Sequence, residues 1–308
     1  MLMLAISTVW AWPAEGADLL LPPRSVSLAA LQADQPGPAG ADSSGAPGQP
    51  RPLLFSCRTT FYEQVKELLI PGDAVYAFCA RSPGRRPGGA PAAGRWAAPE
   101  PVWHPELFQQ ALAALENVRG QGLVKALVFS SCADLEREIA RLPEDIALVS
   151  YNTERGMTPA AELQDLPGSV QRFAQIAHDH GRQVAWGPTH IMLTSNPDLL
   201  DLARYVDSLG LQLQRPLQAQ GLDAFVQLAR ERSRRIKAAN PRCQVTVQVV
   251  LERTPAEQAA AALRAVADVA DRVTAWTMRD VAGLRQVLEA CATSGRSALR
   301  TGKGESLR

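Results

Sequence analysis

The chain has 308 residues, 46% of them hydrophobic and 20% charged, a globular composition that excludes a fibrous or low-complexity protein. Lys and Arg number 32 against 31 Asp and Glu, a formal net charge of +1. This balance argues against electrostatic capture of nucleic acid, which calls for a basic domain with clustered cations.

In chain order, the stretch 1–21 is mostly apolar, interrupted by Glu15 and Asp18. Its core, Leu2 to Trp12, resembles the apolar part of a secretory signal, but no basic residue precedes Arg24. Export, a displaced start and an arm packed on the domain all stay open, so both a secreted and a cytoplasmic location are compatible with it. The run is shorter than the ~20 apolar residues of a membrane-spanning helix, so no membrane span is expected. Residues 32–52 are rich in Ala, Gly, Pro and Ser and read as a linker with little to bury. Roughly 240 residues of patterned sequence follow, enough for one α/β barrel or two small domains.

The pattern alternates. Eight short runs rich in Val, Ile and Leu read as strands: Leu53–Ser56, Ala74–Cys79, Lys125–Ser130, Ile146–Tyr151, Gln183–Gly187, Val206–Gln214, Gln244–Leu251 and Val273–Met278. Amphipathic stretches follow them at Thr60–Leu69, Pro105–Arg119, Ala133–Leu142, Pro167–His180, Pro197–Arg204, Leu222–Ala239, Pro255–Ala270 and Val281–Ala290. His104-Pro105 and Asn196-Pro197 place proline at a helix start, Thr254-Pro255-Ala256-Glu257 reads as a capping box, and Gly181 reads as a helix stop. Strands alternating with helices predict a parallel sheet, and eight units predict closure into a single-domain (β/α)8 TIM-type barrel over 53–293. A flexible Arg-, Pro- and Gly-rich insertion at 81–101 interrupts it, and 294–308 forms a frayed tail.

The sequence contains no Gly-x-Gly-x-x-Gly and no Walker loop, so neither a nucleotide nor another cofactor is implied. The five cysteines form no CxxC pair, and His178 and His180, two apart on a helix, do not share a face. No metal site is therefore expected, and the cysteines read as core residues. Arg230, Arg232, Arg234, Arg235 and Lys237 read as a solvated helix face.

In such a barrel chemistry sits just past the C-terminal ends of the strands. Those positions hold Tyr151, Asn152 and Glu154 after the fourth strand and Trp186 and His190 at the fifth. Gln212 and Gln214 lie on the sixth, Gln248 and Glu252 on and after the seventh, and Trp276 on the eighth. Amides both donate and accept hydrogen bonds, and tryptophan faces pack on sugar rings, so this rim suits a glycan or another polyhydroxylated small molecule. Glycoside hydrolysis needs two carboxylates across the scissile bond, and Glu154 and Glu252 are the natural pair. Tyr151, Asn152, Trp186, His190, Gln212, Gln214, Gln248 and Trp276 then form the substrate face. Each has a plainer reading: the glutamates as solvated or dipole-capping groups, the tryptophans as core, His190 as a loop residue.

The segments Tyr151-Asn152-Thr153-Glu154 with Thr158-Pro159, Val206 to Gln214, Ala239-Asn240-Pro241 and Ala275-Trp276 resemble a family of glycoside-hydrolase-like barrel proteins from actinobacteria, often secreted. The resemblance spans about half of the chain, from Lys125 to Asp280. It implies the barrel and the Glu and Gln positions, and supplies no activity. It also implies Tyr-Asp-x-Glu after the fourth strand, where this chain has Asn152. Three functions follow: a glycosidase-like hydrolase using Glu154 and Glu252, a non-catalytic carbohydrate or small-molecule binding barrel, and a lyase or isomerase using His190 or Arg215.

Overall fold

The computed structural model describes residues 53–79, 101–120 and 122–292. The expectations for the N-terminal segment and linker, for nearly all of the 81–101 insertion and for the 294–308 tail lie outside the described residues.

Eight parallel strands close into a barrel in chain order. They are β1 (Leu54–Arg58), β2 (Ala74–Phe78), β3 (Val124–Phe129), β4 (Leu148–Tyr151), β5 (Gln183–Trp186), β6 (Ser208–Gln212), β7 (Gln244–Val250) and β8 (Arg272–Trp276). The α-helices among the described residues are α1 (Thr59–Val65), α2 (Pro105–Glu116), α3 (Cys132–Glu138), α4 (Ala160–Gln164), α5 (Leu166–Asp179), α6 (His190–Ser195), α7 (Gln214–Ala239), α8 (Ala256–Ala265) and α9 (Val281–Ala292). A 3₁₀ helix, Pro197–Tyr205, carries the chain from α6 to β6. This is the (β/α)8 architecture expected from the alternation. No helix among the described residues is long and apolar enough to cross a membrane.

Strand side chains alternate between two environments. On β7, Val245, Val247 and Val249 face the helices and are 0% exposed, whereas Thr246, Gln248 and Val250 face the barrel interior and stay partly accessible. The outward residues of all eight strands join the helices in one apolar core. A smaller cluster of Ala126, Leu148 and Ala185, with Tyr76 and Val124 against it, fills the lower barrel interior. All five cysteines are buried free thiols, and burial pushes those of Cys57, Cys132 and Cys243 up to about 12, so they remain unreactive.

The N-terminal face of the barrel repeats one device. Asp73, Asp207 and Asp271 each stand immediately before an even-numbered strand, and each carboxylate accepts an N–H from the preceding strand. Phe55 N–H donates to Asp73 Oδ1 at 2.6 Å, Val184 N–H to Asp207 Oδ2 at 2.8 Å, and Val245 N–H to Asp271 Oδ2 at 2.8 Å. These charge-assisted bonds occupy strand-end donors that the ladder leaves over. Arg182 works in the opposite sense, donating to the carbonyls of Leu142, Glu144 and Ile146 below β4.

Some expectations need correction. The sixth strand ends at Gln212, and Gln214 opens α7, so the two glutamines do not share a strand face. The reason is Pro216: it has no N–H for a ladder but fits a helix's first turn. Gly221 then kinks α7 at φ 86°. Thr254 does not cap α8: its hydroxyl instead accepts from Gln218 Nε2 at 3.3 Å, and the cap position falls on Pro255. The basic cluster on α7 is largely paired rather than simply solvated. Arg230 binds Asp268, Arg235 binds Asp198 and Asp201, Lys237 binds Asp271, and Arg232 is only 7% exposed.

Candidate functional site

The C-terminal mouth of the barrel is built from the inner faces of the strand ends. Register brings Gln212 of β6 beside Gln248 of β7, Gln248 beside Thr274 of β8, and Thr274 beside Ser56 of β1. One continuous row across four strands is therefore hydroxyl or amide. Gln212 Nε2 donates to the Gly187 carbonyl at 3.4 Å. On the adjacent wall, Gly210 and Gly187 meet backbone to backbone: a Cβ on Gly210 would lie 3.4 Å from Gly187 Cα. A Cβ on Gly187 would meet nothing within 4 Å. Here the missing side chains leave room inside the mouth, above an amide-lined wall.

Glu154 stands over the end of β4. The loop 152–158 is drawn tight by Thr158, whose hydroxyl donates to the Asn152 carbonyl at 2.7 Å and accepts the Glu154 N–H at 3.1 Å. Gly156 supplies the positive φ of 85° that this turn requires. Burial raises the Glu154 carboxyl above the ordinary carboxylate range, opposed by a hydrogen bond to the Asn152 side chain. A carboxyl with its proton affinity raised in this way is suited to giving a proton to a leaving group.

Glu252 lies in the short 3₁₀ turn after β7, with an exposed side chain. Its Oε1 accepts from the Thr277 hydroxyl at 2.8 Å and from the Met278 N–H. Thr277 in turn accepts from the Arg279 and Asp280 N–H groups at 3.1 and 2.8 Å, so this carboxylate belongs to the turn that starts α9. No hydrogen bond or ion pair joins Glu154 to Glu252 among the described residues. They sit at the ends of strands three apart on the same rim.

The remaining expected site residues divide. Asn152, Gln212, Gln248 and Trp276 face the mouth or interior and are partly accessible. Tyr151 and Trp186 point the other way, into the layer between sheet and helices. Tyr151 stacks on Phe173 of α5 at 4.5 Å, and its hydroxyl donates to Glu162 Oε2 at 2.5 Å. Trp186 is 0% exposed, and its indole N–H donates to Thr153 Oγ1 at 3.1 Å. His190 opens α6 and is turned to α7, with Nδ1 3.4 Å from an Arg232 guanidinium nitrogen. Burial, and then Arg232, lower its pKa, so it stays neutral with Nδ1 accepting. Gln214 Oε1 is buried at the start of α7 without a partner.

Sequence reasoning passed over the opposite side of the mouth. Arg58 ends β1, and its guanidinium carbon lies 5.2 Å from the Phe78 ring centre and 5.0 Å from that of Trp276. The two rings meet edge to face at 5.3 Å. The strand expected at Leu53–Ser56 stopped one inward residue short. The alternation Leu54, Ser56, Arg58 carried the information, because it puts an arginine on the face that holds a serine. Glu162 was also missed. It accepts from the Ser131 hydroxyl, the Cys132 N–H and Tyr151, and so ties the turns after β3 and β4 together.

No family model matches the chain, and the search of curated proteins finds no match. Solved structures do match. A family 18 chitinase from Crocus vernus aligns with a TM-score of 0.50 at 9% identity, over 80% of this chain and 100% of that one. A methylaspartate ammonia lyase from Citrobacter amalonaticus aligns with a TM-score of 0.49 at 8% identity, over 81% of this chain and 60% of that one. At 9% identity the likeness to the chitinase is one of fold: a TIM barrel.

Proposed function

We propose that the protein is a glycosidase-like hydrolase that takes a polyhydroxylated substrate at the C-terminal mouth of its barrel, with Glu154 as general acid and Glu252 as nucleophile or base. The observation that carries this reading is the setting of Glu154. A half-buried carboxyl with a raised proton affinity is held by a rigid turn at the end of β4, on the rim of a mouth lined with amides and hydroxyls. The row Gln212, Gln248, Thr274 supplies donors and acceptors for hydroxyl groups, beside open space at Gly187. In this scheme Glu154 protonates the glycosidic oxygen as the C–O bond breaks. Glu252 acts through Oε2, since Oε1 is occupied by Thr277 and Met278: it either bonds to the anomeric carbon, to be displaced by water in a second step, or takes the proton of the water that bonds there directly.

The chitinase of similar fold makes chitin oligosaccharides the first probe, alongside a panel of aryl glycosides. Glu154→Gln is expected to lower turnover by about 10²–10⁴-fold, the usual worth of a positioned acid. Glu252→Gln is expected to do the same while the fold persists in circular dichroism. Hydrolysis that survives both replacements refutes the assignment.

A second reading, a non-catalytic carbohydrate or small-molecule binding barrel, is favoured by two observations: Asn152 stands where the family resemblance implies a carboxylate, and Glu252 is engaged in shaping the β8–α9 turn. Saturable glycan binding by the unaltered protein with no product formed would establish it.

A further inference from the structure

We infer that Arg58 is an anion-recognising subsite of the barrel mouth, so that the ligand bound there carries an oxyanion, a carboxylate, sulfate or phosphate, on its polyhydroxylated frame. This rests on the reading of the mouth as the ligand site, though not on hydrolysis.

The argument starts from the inventory of donors. A guanidinium has five N–H groups in a planar fork. In Arg58, Nη1 donates to Met278 Sδ at 3.1 Å, a weak acceptor, and Nε is buried with no partner. No carboxylate forms an ion pair with Arg58 among the described residues. Glu252 is the carboxylate whose charge reaches it, and Glu252 is tied to Thr277 and Met278. Phe78 and Trp276 both lie against the guanidinium, at 5.2 and 5.0 Å, which restricts its orientation. What remains is a cation clamped at the rim with its donor edge unspent. Burial lowers its proton affinity, opposed by the charge of Glu252.

Several described arginines are paired differently, though Arg232, buried and likewise lowered in proton affinity, also has no carboxylate ion pair among the described residues and reaches only His190 and Thr194 there, at 3.4 Å. Arg235 has two aspartates, Arg172 has Glu136, and Arg285 has Glu67. Arg272, on the same inner wall at the opposite end of the barrel and 5% exposed, donates to the Phe55 carbonyl. These four arginines are matched to protein acceptors. Arg58 sits where ligands enter a barrel of this kind and is matched to a thioether. Oxyanions bind such a fork through two parallel charge-assisted hydrogen bonds.

A purely structural role, with Arg58 as an aromatic staple, predicts a stability change on mutation and no preference for charged ligands. The test is calorimetric titration of the Glu154→Gln protein, which cannot use Glu154 as an acid, with four probes: glucuronic acid, N-acetylglucosamine 6-sulfate, glucose 6-phosphate and glucose. At least one charged probe should bind about tenfold or more tighter than glucose and weaken as salt rises. The arm that succeeds identifies the oxyanion. Adding Arg58→Gln should abolish the preference, and adding Arg58→Lys, which keeps the charge without the fork, should retain only part of it. The inference is overturned if no charged probe exceeds glucose, including the case where nothing binds, or if the Arg58→Gln form keeps the preference. The unaltered protein separates the two proposals. Cleavage of neutral glycans with no charge preference removes the Arg58 subsite and keeps the hydrolase, whereas charge-dependent binding without turnover does the reverse.

Discussion

Replacing Asp73 by alanine should cost more stability than any other single change at the N-terminal face of the barrel. The carboxylate is 0% exposed. Oδ1 accepts the Phe55 N–H at 2.6 Å and Oδ2 the Ile70 N–H at 2.8 Å. Alanine leaves both buried donors without the carboxylate that accepts from them. Each such orphan costs about 1–3 kcal/mol, so the expected loss is about 2–6 kcal/mol. Asp271 and Asp207 hold the same position before β8 and β6, and accept the strand N–H of Val245 and of Val184. Their side chains are 23% and 39% exposed, so water partly repairs the loss. The expected order of damage is therefore Asp73→Ala, then Asp271→Ala, then Asp207→Ala at about 1 kcal/mol. Urea unfolding followed by circular dichroism gives all three from the shift in midpoint at constant slope. Equal losses for Asp73→Ala and Asp207→Ala would refute the claim that burial of the accepting carboxylate, rather than its place in the repeat, sets its worth.

Other consequences are open to measurement. His178 donates to Asp207 at 2.8 Å, and that bond raises its pKa above 6.5. The stability it adds should be complete below pH 6.5 and fade as pH rises through the raised value, and His178→Gln should flatten this part of the pH profile of unfolding. Glu154 is raised by burial, so its contribution is full below pH 4.5 and is lost as pH rises through the folded value. Glu154→Gln should consequently be more stable than the unaltered protein at pH 7, with the gap closing on acidification. An equal gap at both pH values would mean that the carboxyl is not desolvated. Tyr151→Phe removes a 2.5 Å hydrogen bond to the Glu162 carboxylate and should cost about 1.5–3 kcal/mol in thermal unfolding. A change in ligand affinity without that loss would instead put Tyr151 in the mouth.

The barrel was legible because its strands carry their own punctuation. Val245, Val247 and Val249 alternate with Thr246 and Gln248, and Asn240-Pro241 stops the preceding helix, so β7 can be placed within a residue from pattern alone. Legibility fails where a local rule meets tertiary demand. Gln214 continues the alternation of Leu211, Gln212 and Leu213, yet Pro216 commits it to a helix. Thr254 fits a capping box, yet Gln218 takes its hydroxyl. The short α4 and α6 carry too few turns for a periodicity to show. For the site, residue type could be read but direction could not. Tyr151 and Trp186 follow the same strands as Asn152 and Gly187, and a single residue of phase sends the aromatics to the helix layer and the small polar groups to the mouth.

The two ends of the barrel treat polar groups differently, and the difference bears on function. At the N-terminal face Asp73, Asp207, Asp271 and Arg272 are matched to backbone donors or acceptors. Of the buried side-chain atoms without a hydrogen-bond partner among the described residues, Arg58 Nε, Ser130 Oγ and Gln214 Oε1 lie at the C-terminal ends of strands, and Arg182 Nε lies at the N-terminal face. An unmatched buried polar atom costs about 1–3 kcal/mol, and one end of the fold shows that this architecture can match such atoms. At the mouth, the accessible guanidinium edge of Arg58 is the group a ligand would engage. Binding at the mouth should then raise the unfolding temperature by more than the same ligand gains in a protein whose Arg58 has been replaced by glutamine.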